Sequence, residues 1–251
     1  MLDEIIKEPN PGPQTQFLET LADVAFYGGK PGGGKTVALF LEFLGNYLNP
    51  LFRALILRRI GEDLRAVGGA WDASKTFYEG LGFKTNENKL THTTGAGAVL
   101  GFGSMRDANK DHLRFKSVEN DLIMFEELPE FERHQFWYMF SRNRGKSGIK
   151  PYIRATMNPQ AGWVYQFLLR AGYVDADGFA IPEMSNVVQW FYRDNHTDEE
   201  IWFSSKEEAE KDIESQGLED VVPTSFTFIL SSAKDNPYQT SDYISKLSNL
   251  S

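Results

Sequence analysis

Three short stretches of this 251-residue chain bring together residue types suited to phosphate chemistry. The first reads FYGGKPGGGKT over residues 26–36, so that GxxxxGK[ST] runs in register from Gly29 to Thr36. Glycines at 29, 32, 33 and 34 let the backbone wind tightly enough for successive N–H groups to face phosphate oxygens. The helix that follows aims the positive end of its dipole at the same charge. Lys35 is expected to reach the β and γ phosphates, and the Thr36 hydroxyl to ligate Mg²⁺. The pattern predicts ATP or a related nucleoside triphosphate as ligand, with a merely flexible glycine loop as the plain alternative.

The second stretch, Leu122-Ile123-Met124-Phe125-Glu126-Glu127, is an apolar strand that ends in two adjacent carboxylates. In a hydrolytic site Glu126 would hold the Mg²⁺ shell and Glu127 would polarise the attacking water. A solvated acidic turn is the alternative, because Glu130 and Glu132 follow closely. The third stretch, residues 152–159, ends in Thr156, Met157, Asn158 and Pro159. Thr156 and Asn158 are suited to bonding the γ phosphate or the lytic water, although an ordinary Asn-Pro turn has the same appearance. Arg142 and Arg144 are candidates for a finger that neutralises charge on a neighbouring subunit's ATP, a task that suits guanidinium. A solvated basic loop or a DNA phosphate contact are the other readings. Gln14 and Gln16 carry the paired amide groups that can read adenine, and they read equally as surface glutamines.

These groups need elements to position them. A strand over 22–27 and a helix over 36–47 bracket the glycine loop, and a short helix over 14–21 precedes them. Strands are predicted over 53–57, 122–125 and 152–157, two more within 90–102, and others over 187–192 and 225–230. Helices are predicted over 62–78 with a weak point at Gly68-Gly69, and over 129–142, 162–171 and 206–216, with a last one at the C-terminus. Arg58 and Arg59 then fall at a strand end facing the crevice. The alternation implies an α/β fold with a mainly parallel central sheet flanked by helices, the P-loop NTPase class.

Composition sets the remaining bounds. With 41% hydrophobic residues the chain can bury a full core. It has no cysteine, which excludes disulfides and thiol chemistry. The four histidines lack metal-ligand spacing and read as ordinary side chains. No apolar run of about 18 residues occurs and the N-terminus lacks a signal-like segment, so no membrane partner is expected. The net charge of -9 is unevenly spread. Residues 133–174 carry seven basic and no acidic side chains, whereas residues 175–251 carry sixteen acidic and five basic ones. This suggests a core over 1–174 and a small acidic C-terminal subdomain, a lid or linker, over 175–251. The basic stretch fits either a DNA or phosphate contact or a patch that answers the acidic tail.

The order of motifs resembles the N-terminal ATPase domain of the large terminase subunit of tailed bacteriophages, an ASCE-type P-loop motor. The resemblance covers nearly the whole chain: PGPQTQFL, YGGKPGGGKT, ALILRR, GAGAVLGFGSM, LIMFEELPEF, SRNRGKSGIKP, RATMNP and AKDNPY. It implies ATP hydrolysis that drives double-stranded DNA into a procapsid in the host cell cytoplasm. It also implies the portal protein, the small terminase subunit and neighbouring copies in a ring, a pentamer on the portal, as partners. By resemblance Gln14 reads adenine, Lys35 and Thr36 are the Walker A pair, Glu126 and Glu127 the Walker B and catalytic carboxylates, and Thr156 and Asn158 the coupling motif. Two departures stand out. Glu126 occupies a position that is usually aspartate, and the basic residue common inside the terminase P-loop has only Lys30 as a counterpart. Large terminases also carry an RNase H-like nuclease domain, which this chain is expected to stop short of, so nuclease activity is not expected from it. A related helicase or recombination ATPase and a non-hydrolysing ATP-binding switch remain as alternatives.

Overall fold

Six strands rich in apolar and β-branched residues pair in parallel and form the centre of the molecule. The computed structural model describes residues 7–29, 32–158, 160–194 and 196–237. In chain order the strands are β1 (Val24–Gly29), β2 (Arg53–Arg58), β3 (Lys84–Asn86), β4 (Thr91–Thr93), β5 (Val99–Ser104), β6 (Leu122–Phe125), β7 (Tyr152–Met157), β8 (Val188–Arg193), β9 (Glu200–Phe203) and β10 (Thr224–Ser231). They form one sheet in the order β3-β4-β5-β2-β6-β7-β1-β10-β8-β9. The run from β5 to β10 is parallel, and antiparallel partners flank it at both ends, β3-β4 on one side and β8-β9 on the other. The acidic segment after residue 175 thus contributes three strands to the common sheet, and β10 lies directly beside β1.

Helices cover both faces, as a sheet of buried parallel strands requires. Alternation along β1 shows how: Val24 and Phe26 face one core with α5 (Arg133–Phe140) and α6 (Trp163–Arg170). Ala25 and Tyr27 face the other, with α1 (Pro13–Glu19), α2 (Lys35–Leu44) and α4 (Ala70–Phe77). The helix expected over 62–78 is in fact two, α3 (Gly61–Arg65) and α4, because Gly68 takes φ +79°, a left-handed conformation that no helix interior tolerates. The helix expected over 129–142 begins later, at Arg133, where Glu132 and Gln135 form a reciprocal capping box after a short 3₁₀ turn at Leu128–Glu130. Strands β3 and β9 were not expected. Both are short, and β3 is exposed at the sheet edge, so neither carries a clear apolar alternation. Helix α7 (Lys206–Ser215) starts on Ser205, whose hydroxyl accepts from the Glu208 N–H, and buries Ala209 and Ile213. The C-terminal helix expected from sequence lies outside the described residues.

The basic stretch over 133–174 is largely neutralised within the fold. Arg133 and Arg170 both meet Glu200, Arg144 and Lys146 meet Glu119, Lys150 meets Asp23, and Arg154 meets Glu42. Arg142 differs, since its guanidinium lies over the Tyr138 ring at 5.1 Å and its Nε is buried without a hydrogen-bond partner among the described residues. Of the two readings of this stretch, the arrangement favours a cationic set that answers acids elsewhere in the chain.

One buried histidine ties the edge of the sheet to α4. His92 is fully buried, stacks on Trp71 at 4.8 Å and bonds Ser74 and Thr85 at 2.8 and 2.9 Å. Burial pushes its pKa down to about 4, with Lys75 acting in the same direction and Glu87 opposing. The unfolded chain takes up a proton below the usual value near 6.5, while the folded chain refuses it until about pH 4. Stability should therefore fall between those values, by about 3 kcal/mol in all, and then level off. Urea midpoints measured at pH 7 and pH 4.5 test this, and His92→Gln should flatten the dependence over that interval.

Candidate functional site

Because the six central strands are parallel, their C-terminal ends share one edge, and the loops leaving them converge there. The loop after β1 is the glycine-rich segment, of which Gly29 and residues 32–34 are described, while Lys30 and Pro31 lie outside the described residues. The ends of β6 and β7 deliver Glu126-Glu127 and Asn158 to the same edge. Gly34 caps α2 with φ +71°, ψ 28°. That left-handed backbone, with the Gln14 amide 3.0 Å from where a Cβ would stand, is why a glycine is needed immediately before Lys35.

The side chains expected to cooperate are bonded to one another. Lys35 Nζ donates to Asn158 Oδ1 at 2.7 Å, and Asn158 Nδ2 donates to Glu127 Oε1 at 2.8 Å. The Asn158 N–H reaches Glu127 Oε2 at 3.2 Å, so this carboxylate is gripped by both the backbone and the side chain of a single residue. The Glu127 N–H in turn donates to Thr156 Oγ1 at 3.3 Å. Glu127 has φ 55°, ψ 60°, a left-handed conformation that costs about 1 kcal/mol for a side chain of this kind. The contacts to Thr156 and Asn158 hold it there. Thr36 Oγ1 donates to Glu126 Oε1 at 2.6 Å, so the extra methylene of glutamate carries its carboxylate to the P-loop hydroxyl.

Burial shapes the charges. Lys35 and Glu126 are each only 9% exposed. Desolvation lowers the pKa of the Lys35 ammonium, and the Glu127 carboxylate partly restores it. Glu126 is raised by burial, against which the Thr36 hydroxyl bond and the Arg58 charge act. Arg58 therefore belongs to the electrostatics of this edge. It ends β2, beside β6, and pairs with Glu130 at 3.1 Å. Arg59 donates to the Glu130 carbonyl at 3.1 Å and to the carbonyls of Met105 and Arg106. The placement of two arginines at a strand end was visible in the sequence, but their pairing with Glu130 was not.

Gln14 is 2% exposed, which excludes the surface reading of this residue. Its Oε1 accepts from the Asn10 N–H at 2.6 Å and its Nε2 donates to the Gly34 carbonyl at 3.0 Å, so the amide braces the glycine loop. Tyr27, which sequence reasoning passed over, donates its hydroxyl to the Gly33 carbonyl at 2.9 Å, and burial pushes its pKa up to about 12. Only its position two residues before Gly29 could have drawn attention to it.

Arg142 and Arg144 do not join this site. Asn143 between them donates to the carbonyls of Asn120 and Asp121 at 3.0 and 3.1 Å, at the N-terminal end of β6. The extended run from Asn120 to Glu126 places the Asn143 contact roughly 20 Å from Glu126. The two arginines occupy the opposite edge of the sheet from the chain's own P-loop.

Comparison with solved structures adds a fold-level likeness to these contacts. The chain superposes on the large terminase of a thermophilic bacteriophage with a TM-score of 0.59 at 10% identity, covering 98% of this chain and 51% of that one. The same terminase in complex with ADP gives 0.56 over 95% of this chain and 50% of that one, and in complex with ATP-γ-S 0.56 over 97% and 50%, both at 10% identity. The chain has the fold of a large terminase. It spans about half the length of those proteins. No protein-family model matches the chain, and no curated protein sequence matches it. The likeness expected from the order of short motifs is thus met at the level of architecture: a mainly parallel sheet flanked by helices.

The residues present suit a magnesium ion. A threonine hydroxyl and one carboxylate, both hard oxygen donors, meet at the end of the glycine loop. Mg²⁺ characteristically takes one or two carboxylates and keeps several waters. Among the described residues no group of three or more His, Asp or Glu side chains converges as a denser metal site, and no helix is long and apolar enough to cross a membrane.

Proposed function

We propose that this chain is the ATPase motor of a large terminase, hydrolysing ATP to translocate double-stranded DNA into a viral procapsid. The observation that carries this reading is the continuous contact from Lys35 through Asn158 to Glu127, next to the Thr36–Glu126 pair, on one sheet edge. A phosphate-binding loop alone would serve a switch. A carboxylate gripped by two donors from Asn158 on a left-handed backbone is a fixed group able to orient a water, which supports hydrolysis over simple binding.

In this reading Lys35 contacts the β and γ phosphates, and the N–H groups of the glycine loop cradle them. Mg²⁺ bound by Thr36 and Glu126 would neutralise charge on the β and γ phosphates. Glu127 orients the attacking water and accepts its proton, in line with the bond to be broken. Asn158 senses the γ phosphate, because it already bridges the lysine that would touch that group and the carboxylate that would activate water. Thr156 fixes the Glu127 backbone. Residues 1–174 supply these side chains; of residues 175–251, β10 belongs to the central sheet beside β1, and the lid and linker role falls to the elements around it. The motor works as a ring of copies on the portal, supplied with DNA by the small terminase subunit, at the procapsid in the host cytoplasm.

The ring gives Arg142 and Arg144 their place. Lying on the sheet edge opposite the P-loop, they reach an ATP only if that edge of one subunit meets the site of the next, which is a head-to-tail contact of the kind that closes rings. Arg144 is tied to Glu119, whereas Arg142 has no acidic partner among the described residues and is the better finger. The test is ATP turnover of the purified chain with and without duplex DNA and portal. Stimulation is expected, and Arg142→Ala should remove about 10³-fold or more of the assembled rate while leaving nucleotide binding by the isolated chain intact. Binding without turnover under every condition would sink the motor reading, and weaker DNA binding with normal turnover would reassign Arg142 to a DNA phosphate.

A further inference from the structure

The outer side of the glycine loop is held at three successive carbonyls by donors from three parts of the chain. Asn236 Nδ2 donates to the Gly32 carbonyl at 2.9 Å, the Tyr27 hydroxyl to that of Gly33 at 2.9 Å, and Gln14 Nε2 to that of Gly34 at 3.0 Å. In a trans peptide the carbonyl and the following N–H point in opposite directions. Anchoring these carbonyls outward therefore turns the N–H groups of Gly33, Gly34 and Lys35 toward the inner side.

One residue sets the orientation of both amides. The Asn10 backbone N–H occupies Gln14 Oε1 at 2.6 Å, which leaves Gln14 Nε2 for Gly34. The Asn10 side chain donates to Asn236 Oδ1 at 3.4 Å, which leaves Asn236 Nδ2 for Gly32. All three amide nitrogens converge behind Gly34, lying 3.0, 3.6 and 3.9 Å from where its Cβ would be. Asn236 is presented by a single 3₁₀ turn, Ala233–Asp235, locked by Ser232: its N–H and hydroxyl both donate to Asp235 Oδ2, at 2.7 and 2.9 Å. That turn leaves the end of β10, the strand that lies beside β1.

We propose that Asn236 is a positioning residue for the bound phosphates, holding the Gly32 carbonyl away from them and linking the C-terminal segment to the cradle through Asn10. The proposal rests on the reading of the loop as a nucleotide site. Its consequence is that the segment following β10 and the phosphate cradle move together. A phosphate that pulls on the inner N–H groups loads the Asn236 bond, and a shift of the C-terminal segment loosens the cradle.

The test uses the whole chain with ATP-γ-S and Mg²⁺. Asn236→Leu keeps the bulk and removes the donor. It should weaken nucleotide binding about tenfold, and raise KM for ATP by a similar factor with kcat at saturation within about twofold. Asn236→Gln, which keeps a carboxamide, should recover part of the loss. Asn10→Ala keeps the backbone N–H that holds Gln14 but removes the side-chain donor to Asn236 Oδ1, so it frees the Asn236 amide alone to flip. It should weaken binding several-fold and provides the test if Asn236→Leu fails to fold. Wild-type affinity in Asn236→Leu or in Asn10→Ala would overturn the positioning role. A loss in Asn236→Leu that only tracks a lower melting temperature without nucleotide, and that glutamine does not rescue, would overturn it as well. If the wild-type chain binds no ATP-γ-S, the reading of the loop itself is wrong, an outcome distinct from either of these.

Discussion

Replacing Glu127 with glutamine should lower ATP turnover by about 10²–10⁴-fold, the range that a positioned general base contributes, while leaving ATP binding nearly unchanged. Glutamine keeps the length of the side chain, and its carbonyl can still accept from Asn158 Nδ2 in place of Oε1. Its amide cannot replace Oε2, which accepts from the Asn158 N–H, and it cannot take a proton from water. Turnover should therefore fall far more than affinity. Measured with single-turnover kinetics beside an ATP-γ-S titration, the two effects separate cleanly. A rate within tenfold of wild type would remove Glu127 from the chemistry and favour a site that binds without hydrolysing. An equal loss of binding would mean that the carboxylate chiefly holds Asn158, and through it Lys35, in place.

The second large effect concerns stability. Arg154 and Glu42 are 3% and 6% exposed, with 3.4 Å between the guanidinium Nε and the carboxylate. Burial raises the Glu42 carboxyl, and the charge of Arg154 is the main influence holding it down. The arginine also donates to the carbonyls of Thr20, Ala22 and Ile153, each at 3.0 Å, and lies 4.6 Å from the centre of the Tyr152 ring. Arg154→Met leaves Glu42 without its partner and three carbonyls short of a donor. It should cost about 3–5 kcal/mol, or on the order of 10 °C in melting temperature for a chain of this size. Adding Glu42→Leu should recover much of that loss, because two apolar side chains no longer strand a charge. If the double variant is no more stable than the single one, Arg154 acts mainly through the carbonyls ahead of β1.

Much of this was legible in the sequence because the central strands announce themselves. LIMF and YIRATM occur as β6 and β7 at the expected bounds: LIMF is an uninterrupted apolar run, as a strand buried on both faces requires, and YIRATM is apolar apart from Arg154 and Thr156, whose buried partners the sequence does not reveal. The contacts among Lys35, Thr36, Glu126, Glu127 and Asn158 followed from parallel topology, which brings strand ends to one edge wherever they fall in the chain. Residues whose role is set by what stands behind them were harder to read. Tyr27 looks like a strand aromatic and Asn236 like a turn residue, and neither motif says that each holds a glycine carbonyl. Arg142 and Arg144 look like active-site cations by type, but Asn143 pins their loop to the start of β6. The basic stretch likewise reads as a patch in one dimension, and its partners at Asp23, Glu42, Glu119 and Glu200 are assembled only by folding.

The placement of β1 between β7 and β10 has a consequence for how this protein comes into being on the ribosome. The strand that carries the glycine loop is made well before either of its neighbours, one of which spans residues 152–157 and the other residues 224–231. Until that last strand emerges, β1 presents an open edge of unpaired backbone, the kind of surface on which nascent chains associate wrongly. Pairings so distant along the chain also form slowly, because their closure entropy is met before any contact offsets it. Nucleotide competence is therefore acquired only once the last of these strands has emerged, and a chain released before Thr224 would carry the whole P-loop motif without the wall that supports it.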